Sequence, residues 1–71
     1  MSEVQFDLPA LDMMETYVFS HVGWMISRTP DIAKSAKLNT PTILTILKKL
    51  ERKGYVRHIA SENSYAWKRI V

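Results

Sequence analysis

Thr42, Thr45, Lys48, Lys49 and Arg52 recur at helical spacing within fourteen residues of the 71-residue chain, and no Asp or Glu shares their face. Cations and hydroxyls without carboxylates are the chemistry of polyanion contact. Ammonium and guanidinium groups hold phosphates, while a Thr hydroxyl bonds several base edges and its methyl meets the thymine methyl. Lys48 and Lys49 also read as an ordinary solvated face, and the surrounding elements must decide between the two. The residue types that run enzymes are sparse. His21 and His58 are the only histidines, they stand on different segments with no carboxylate cluster nearby, and each reads first as a packed or surface residue. Gly23 and Gly54 are the only glycines, so there is no phosphate-cradling loop, and the absence of cysteine excludes disulfides and thiolate metal sites. No catalytic residue, metal, cofactor or small-molecule effector is expected.

The stretch that carries these side chains, Thr40 to Lys53, has the strongest helical pattern in the sequence. Ile43, Ile46, Leu47 and Leu50 fall at i, i+3, i+4 and i+7, which predicts one buried face with the cationic one opposite. Thr40 is the expected N-cap, Pro41 the first helical position, and Gly54 the left-handed stop. The preceding segment repeats the device: Thr29 as cap, Pro30 at the first position, and Ile32, Ala33 and Ala36 inward. A tight Leu38-Asn39 turn joins the two, which is the pattern of a helix-turn-helix.

An earlier helix is predicted from Leu8 to Ser20, with Pro9 in its first turn and a core stripe of Leu11, Met14, Val18 and Val22. Ala10, Met13, Tyr17 and Trp24 lie along a second flank. A helix apolar on two sides has more to bury than its own small domain covers, so this flank is the expected dimer or partner interface, unless the C-terminal hairpin or the N-terminal arm folds over it. Met1 to Asp7 has no periodicity and reads as a frayed arm. Gly23 ends or bends the helix, and Trp24 to Ser27 follows as a short apolar strand or link. After Gly54 the pattern turns to period two. Tyr55–Ala60 and Tyr65–Val71, joined by the polar cluster Ser61-Glu62-Asn63-Ser64, predict a two-stranded hairpin with Val56, Ile59, Trp67 and Ile70 inward.

Residues 1–71 make a single domain at this length. Charge is segregated: residues 1–27 hold Glu3, Asp7, Asp12 and Glu15 and no Lys or Arg (−4), whereas residues 28–71 hold all ten Lys and Arg against Asp31, Glu51 and Glu62 (+7). The second part is therefore the one that meets a polyanion. No apolar run reaches the roughly 20 residues of a membrane span, and Glu3 and Asp7 replace the basic flank of a secretory signal. A soluble, cytoplasmic protein, associated with the nucleoid or the interior of a host cell, is expected, with no membrane contact.

The run P-D-I-A-K-S-A-K-L-N-T-P-T-I-L-T-I-L-K-K-L-E-R-K-G-Y-V-R resembles the DNA-binding core of winged-helix regulators, most of all the MarR-type (multiple antibiotic resistance repressor) family. The resemblance rests on the Ile32-Ala33 pair of the second helix and on the ending Leu50-Glu51-Arg52-Lys53-Gly54-Tyr55-Val56. It covers roughly residues 29 to 58, and the hairpin in outline. It implies an α+β winged helix, with a three-helix helix-turn-helix core and a C-terminal two-stranded β-hairpin wing. Two departures stand out. The family's wing carries an arginine near its tip, and Ser61–Ser64 has no cation. The family also dimerises through helices flanking the winged domain, a role that here falls to the first helix or to a partner protein.

The expected activity is that of a small sequence-specific regulator of transcription that inserts helix 40–53 in the major groove of double-stranded DNA, as a homodimer through the first helix. Thr42 and Thr45 would lie near base edges, and Thr40 and Pro41 belong to the same expected DNA-binding set. Lys48, Lys49 and the main-chain N–H groups at the Thr40 cap would grip phosphates, Lys68 and Arg69 on the returning strand could at most reach phosphates, and Arg28 and Lys37 complete the expected DNA-binding set. Leu44, on the border of the stripe, is expected to pack rather than read bases. Small size and the lack of a sensory domain fit an accessory regulator of a virus or mobile element. The alternative is a winged-helix interaction module that binds a larger regulator or a transcription or replication protein.

Overall fold

The computed structural model describes residues 9–59 and 66–71. The arm Met1–Asp7, the expected helix start at Leu8, the turn Ser61–Ser64 and the strand ends Ala60 and Tyr65 lie outside the described residues. The elements run α1 (Met13–Phe19), β1 (Ser27–Arg28), α2 (Thr29–Ala36), α3 (Thr40–Lys53), β2 (Val56–His58) and β3 (Ala66–Arg69). The described residues thus form a small α+β domain of three helices and an antiparallel sheet in the order β1-β3-β2, an arrangement compatible with a winged helix.

Helix α3 has the bounds its pattern predicts, and Ile43, Ile46, Leu47 and Leu50 are all buried. They meet Val18 and Val22 from the first segment, Ile32, Ala33 and Ala36 from α2, and Val56 and Trp67 from the sheet in one core. At about 1.5–3 kcal/mol for each fully buried Leu, Ile or Val, this cluster is what makes a chain of 71 residues foldable. Gly54 ends the helix at φ 90°, in the left-handed region, and Tyr55 N–H donates to Leu50 O at 2.9 Å.

In both proline-started helices the cap lies one residue earlier than expected. The N-cap of α3 is Asn39, whose side chain accepts from Thr42 N–H, and the cap position of α2 is Arg28, which makes no side-chain cap bond. The Asn carboxamide reaches the orphan N–H that Thr40 was expected to satisfy. Thr29 serves the core instead, being wholly buried, and its Oγ1 accepts the Trp67 indole N–H at 2.7 Å. Between the helices Lys37 takes up a left-handed conformation at φ 61°, ψ 40°, and Leu38 N–H closes back on Ala33 O at 3.0 Å.

Helix α1 is shorter than its apolar pattern implies. Asp12 is the N-cap, and it forms a reciprocal capping box with Glu15, so the chain around Pro9 to Leu11 stays outside the helix. Met14, placed in the core by periodicity, is 42% exposed, whereas Glu15 is buried. A buried carboxylate needs partners, and Glu15 has them. Lys53 Nζ lies 2.7 Å from its Oε1 and also donates to Ala10 O at 3.1 Å. This is the single ion pair among the described residues.

The sheet has three strands rather than the two of a simple hairpin, because Ser27–Arg28 pairs with the free side of β3. Ser27 faces Trp67 and Arg28 faces Ala66, and Arg69 N–H donates to Gly23 O. A strand paired on one side only would leave a row of donors and acceptors to water, and the link after α1 supplies their partners. On the other edge Val56, Arg57 and His58 face Arg69, Lys68 and Trp67. Trp67 and Val56 point inward as expected. Ile70 does not: it lies past the end of β3 and is 40% exposed, while Ala66 is buried.

Candidate nucleic-acid interface

Burying one face of α3 fixes the other toward solvent. Thr40, Pro41, Thr45, Lys48, Lys49 and Arg52 are exposed and Thr42 is half-buried, with no described strand or helix over them. Several of these groups are partly used within the helix. Thr45 Oγ1 donates to Pro41 O at 3.0 Å, so its hydroxyl retains its acceptor function and its methyl. Pro41 has no N–H, Thr42 N–H goes to Asn39 Oδ1 and Ile43 N–H to Asn39 O. The main-chain donors expected to grip a phosphate are thus largely taken by the cap. That role falls to Lys48 and Lys49. Leu44 is half-buried and packs against the core.

The other cations of the expected interface fall into three settings. Lys37 is exposed at the turn between α2 and α3. Arg69 is held: its guanidinium lies 4.3 Å from the centre of the Phe19 ring and 4.7 Å from that of Trp24, and its Nε donates to Val71 O. A guanidinium stacked between two aromatic faces fastens the sheet to the segment after α1. Arg28 and Lys68 stand on the sheet with Arg57, a residue that sequence reasoning passed over. Ladder register makes Arg57 and Lys68 direct neighbours, and Arg28 opposes Ala66 two positions away on β3. Residues at i and i+2 share a face, so all three cations lie on the side of the sheet opposite Trp67. Period-two spacing within Tyr55–Ala60 already set Arg57 against Val56, and the missing piece was the register of β3.

The expected interface residues are exposed but do not form one helical flank. Met13 and Tyr17 are on α1, Ala10 precedes it, and Trp24 lies in the link to β1 beneath Arg69. Tyr17 is anchored within the chain, since its hydroxyl donates to Ala36 O at 2.7 Å and its ring meets His21 edge-on. His21 Nδ1 and Ser35 Oγ are hydrogen-bonded at 2.8 Å, and His58 packs on the Trp67 ring. Among the described residues no three His, Asp or Glu side chains gather into a metal-binding group, and no helix is long and apolar enough to cross a membrane.

Sequence reasoning also missed the link between Glu15 and Lys53. Hydrogen bonding from Lys53 holds the Glu15 carboxyl below the ordinary glutamate range, helped by the Asp12 N–H and more weakly by the charge of Lys49, against the opposing effect of burial. Its signal was legible in part, in the spacing Asp12-x-x-Glu15 of a capping box. Comparisons of the chain with protein-family models, with curated proteins and with solved structures each return no match.

Proposed function

We propose that the chain is a winged-helix domain of the MarR-like kind that binds double-stranded DNA and regulates transcription from within the cytoplasm, with α3 in the major groove. The observation that carries the reading is the outer face of α3. Thr45, Lys48, Lys49 and Arg52 project from it unobstructed by any described element, while the opposite face is wholly committed to the core. Lys48 and Lys49 contact phosphates on this reading, and Thr42 and Thr45 stand at base edges. Hydroxyl contacts discriminate modestly, so useful specificity comes from two copies on two half-sites.

The test is a titration of random and varied duplexes at several salt concentrations. Affinity falls with salt by a slope of about −0.9 per phosphate neutralised, and Lys48→Ala flattens the slope by about one unit. A wild-type protein with no duplex binding at low salt removes the reading.

A second reading, a protein-interaction module, is favoured by one observation. Met13, Trp24 and Met25 are 88%, 61% and 81% exposed, large apolar side chains that a partner protein would cover. In that case Lys48→Ala leaves partner binding intact and a charge at Met13 abolishes it.

A further inference from the structure

The link between α1 and β1 carries an apolar bend. Ser27 faces Trp67 across the ladder, and Arg69 N–H donates to Gly23 O. One residue, Lys68, separates Trp67 from Arg69 on β3, whereas Trp24, Met25 and Ile26 separate Gly23 from Ser27. The two residues in excess have no place in the ladder, so the chain bulges out from the edge of the sheet. All three side chains are exposed. Surface bends are ordinarily built from polar residues, glycine and proline, and an exposed run of large apolar side chains is out of place unless something uses it. The bend is also held in shape, because the Arg69 guanidinium lies 4.7 Å from the centre of the Trp24 ring.

We infer that this bend seats the domain on an anionic lipid surface, with Trp24, Met25 and Ile26 entering the interfacial layer. Met13, at the other end of α1, is outside the site. Three features select the occupant. The first is charge: residues 16–30 and 66–71, which form the bend and the chain on either side of it, hold Arg28, Lys68 and Arg69 and no Asp or Glu. Asp31, the next acid along the chain, forms no ion pair with Arg28 among the described residues. Anionic headgroups attract such a surface, and the negative leaflet faces the cytoplasm. The second is size. A stable protein contact takes about 800 Å² and roughly 20–30 residues from each partner. Three side chains fall far short of that, whereas a lipid surface has no shape to match and takes up a few apolar groups beside cations. The third is residue type, since a tryptophan ring, apolar in its body and polar at its N–H, settles at the headgroup level. The described helices are too short to span a membrane, but lying on one needs no span.

The test uses the two tryptophans as they stand, because Trp24 is 61% exposed and Trp67 2%. The full chain is titrated with vesicles of phosphatidylglycerol and phosphatidylcholine, with phosphatidylcholine alone, and with the anionic mixture carrying brominated acyl chains, which quench an indole that touches them. Thermal melting of each protein is followed alongside. The inference expects binding to anionic vesicles that weakens with salt, a blue shift of the tryptophan emission, and quenching by the brominated chains. Met25→Ser/Ile26→Ser, which leaves Trp24 stacked on Arg69, should melt as wild type does and partition at least about tenfold less. Arg28→Gln, at a position that makes no side-chain cap bond, should bind about fivefold less at low salt. Absence of binding to anionic vesicles overturns the inference and leaves the bend to a protein partner. Binding without quenching, or binding that the double variant keeps undiminished, overturns it too, as adsorption of the basic surface alone, and so does equal binding to phosphatidylcholine. Should the double variant melt lower, quenching of wild type decides: its presence supports insertion and its absence overturns it. None of these outcomes bears on duplex binding, so the α3 reading stands or falls on its own titration.

Discussion

Lys37 and Thr29 show how single side chains are constrained by the backbone and the core they serve. A residue with a Cβ in the left-handed region costs roughly 1–2 kcal/mol, and Lys37 is the one described non-glycine residue with positive φ. Glycine would remove that strain at the expense of a more flexible unfolded chain, so Lys37→Gly should stabilise the domain by about 0.5–1 kcal/mol, read as a higher denaturation midpoint. A lower midpoint would mean that the lysine stem contributes packing that outweighs the strain. Thr29 presents the opposite case. Thr29→Val preserves shape but leaves the Trp67 indole N–H buried without its acceptor at 2.7 Å, a loss of about 1–3 kcal/mol. A neutral result in chemical denaturation would show that the indole finds another partner.

At the scale of elements, the join between α1 and α3 is ionic where the rest of the core is apolar. Glu15 binds the Asp12 N–H and Lys53 Nζ at once, so a short helix is capped and tethered by the same carboxylate. Its folded pKa is depressed, chiefly by the Lys53 hydrogen bond. The stabilisation is therefore fully present above the unfolded glutamate pKa and is lost as pH falls through the lower folded value. Acid melting should show it: the gap in midpoint between wild type and Glu15→Gln, open at neutral pH, closes as pH drops below the ordinary glutamate range. A gap independent of pH would assign the role of Glu15 to packing and capping alone. The elements themselves were legible to different degrees, for physical reasons. Helix α3 was legible end to end because an apolar stripe, a proline and a glycine all point to the same bounds. The start of α1 was misplaced because apolar periodicity continues through Ala10 and Leu11, whereas the capping box of Asp12 with Glu15 sets the boundary. β1 was left between strand and link because two residues hold no period, and only pairing with β3 gives Ser27 and Arg28 a conformation. Of the candidate interface, the outer face of α3 was readable from helical spacing. The grouping of Arg28, Arg57 and Lys68 was not, since it depends on register across three strands, and neither was the stacking of Arg69 on Phe19 and Trp24.

For the whole molecule, the question is what covers the apolar surface that one small domain leaves outside. Apart from the bend after α1, Met13 on the helix itself is exposed, and a second copy is the occupant there that the two-half-site reading requires. Met13 is the informative position. Tyr17 is bonded to Ala36 and Trp24 is stacked on Arg69, so changing either would damage the monomer as well as an interface, whereas Met13 is 88% exposed and outside the core cluster. Met13→Asp adds an acid in the first turn of α1, where the helix dipole favours it, and so should leave the monomer's fold and melting intact. If α1 forms the dimer, wild type sediments as a two-chain species at high concentration, Met13→Asp as one chain, and the variant binds a paired half-site no better than a single one. Wild type sedimenting as a monomer throughout would remove the dimer. The exposed face of α1 would then belong to a heterologous partner, and groove binding by α3 would have to stand on one copy.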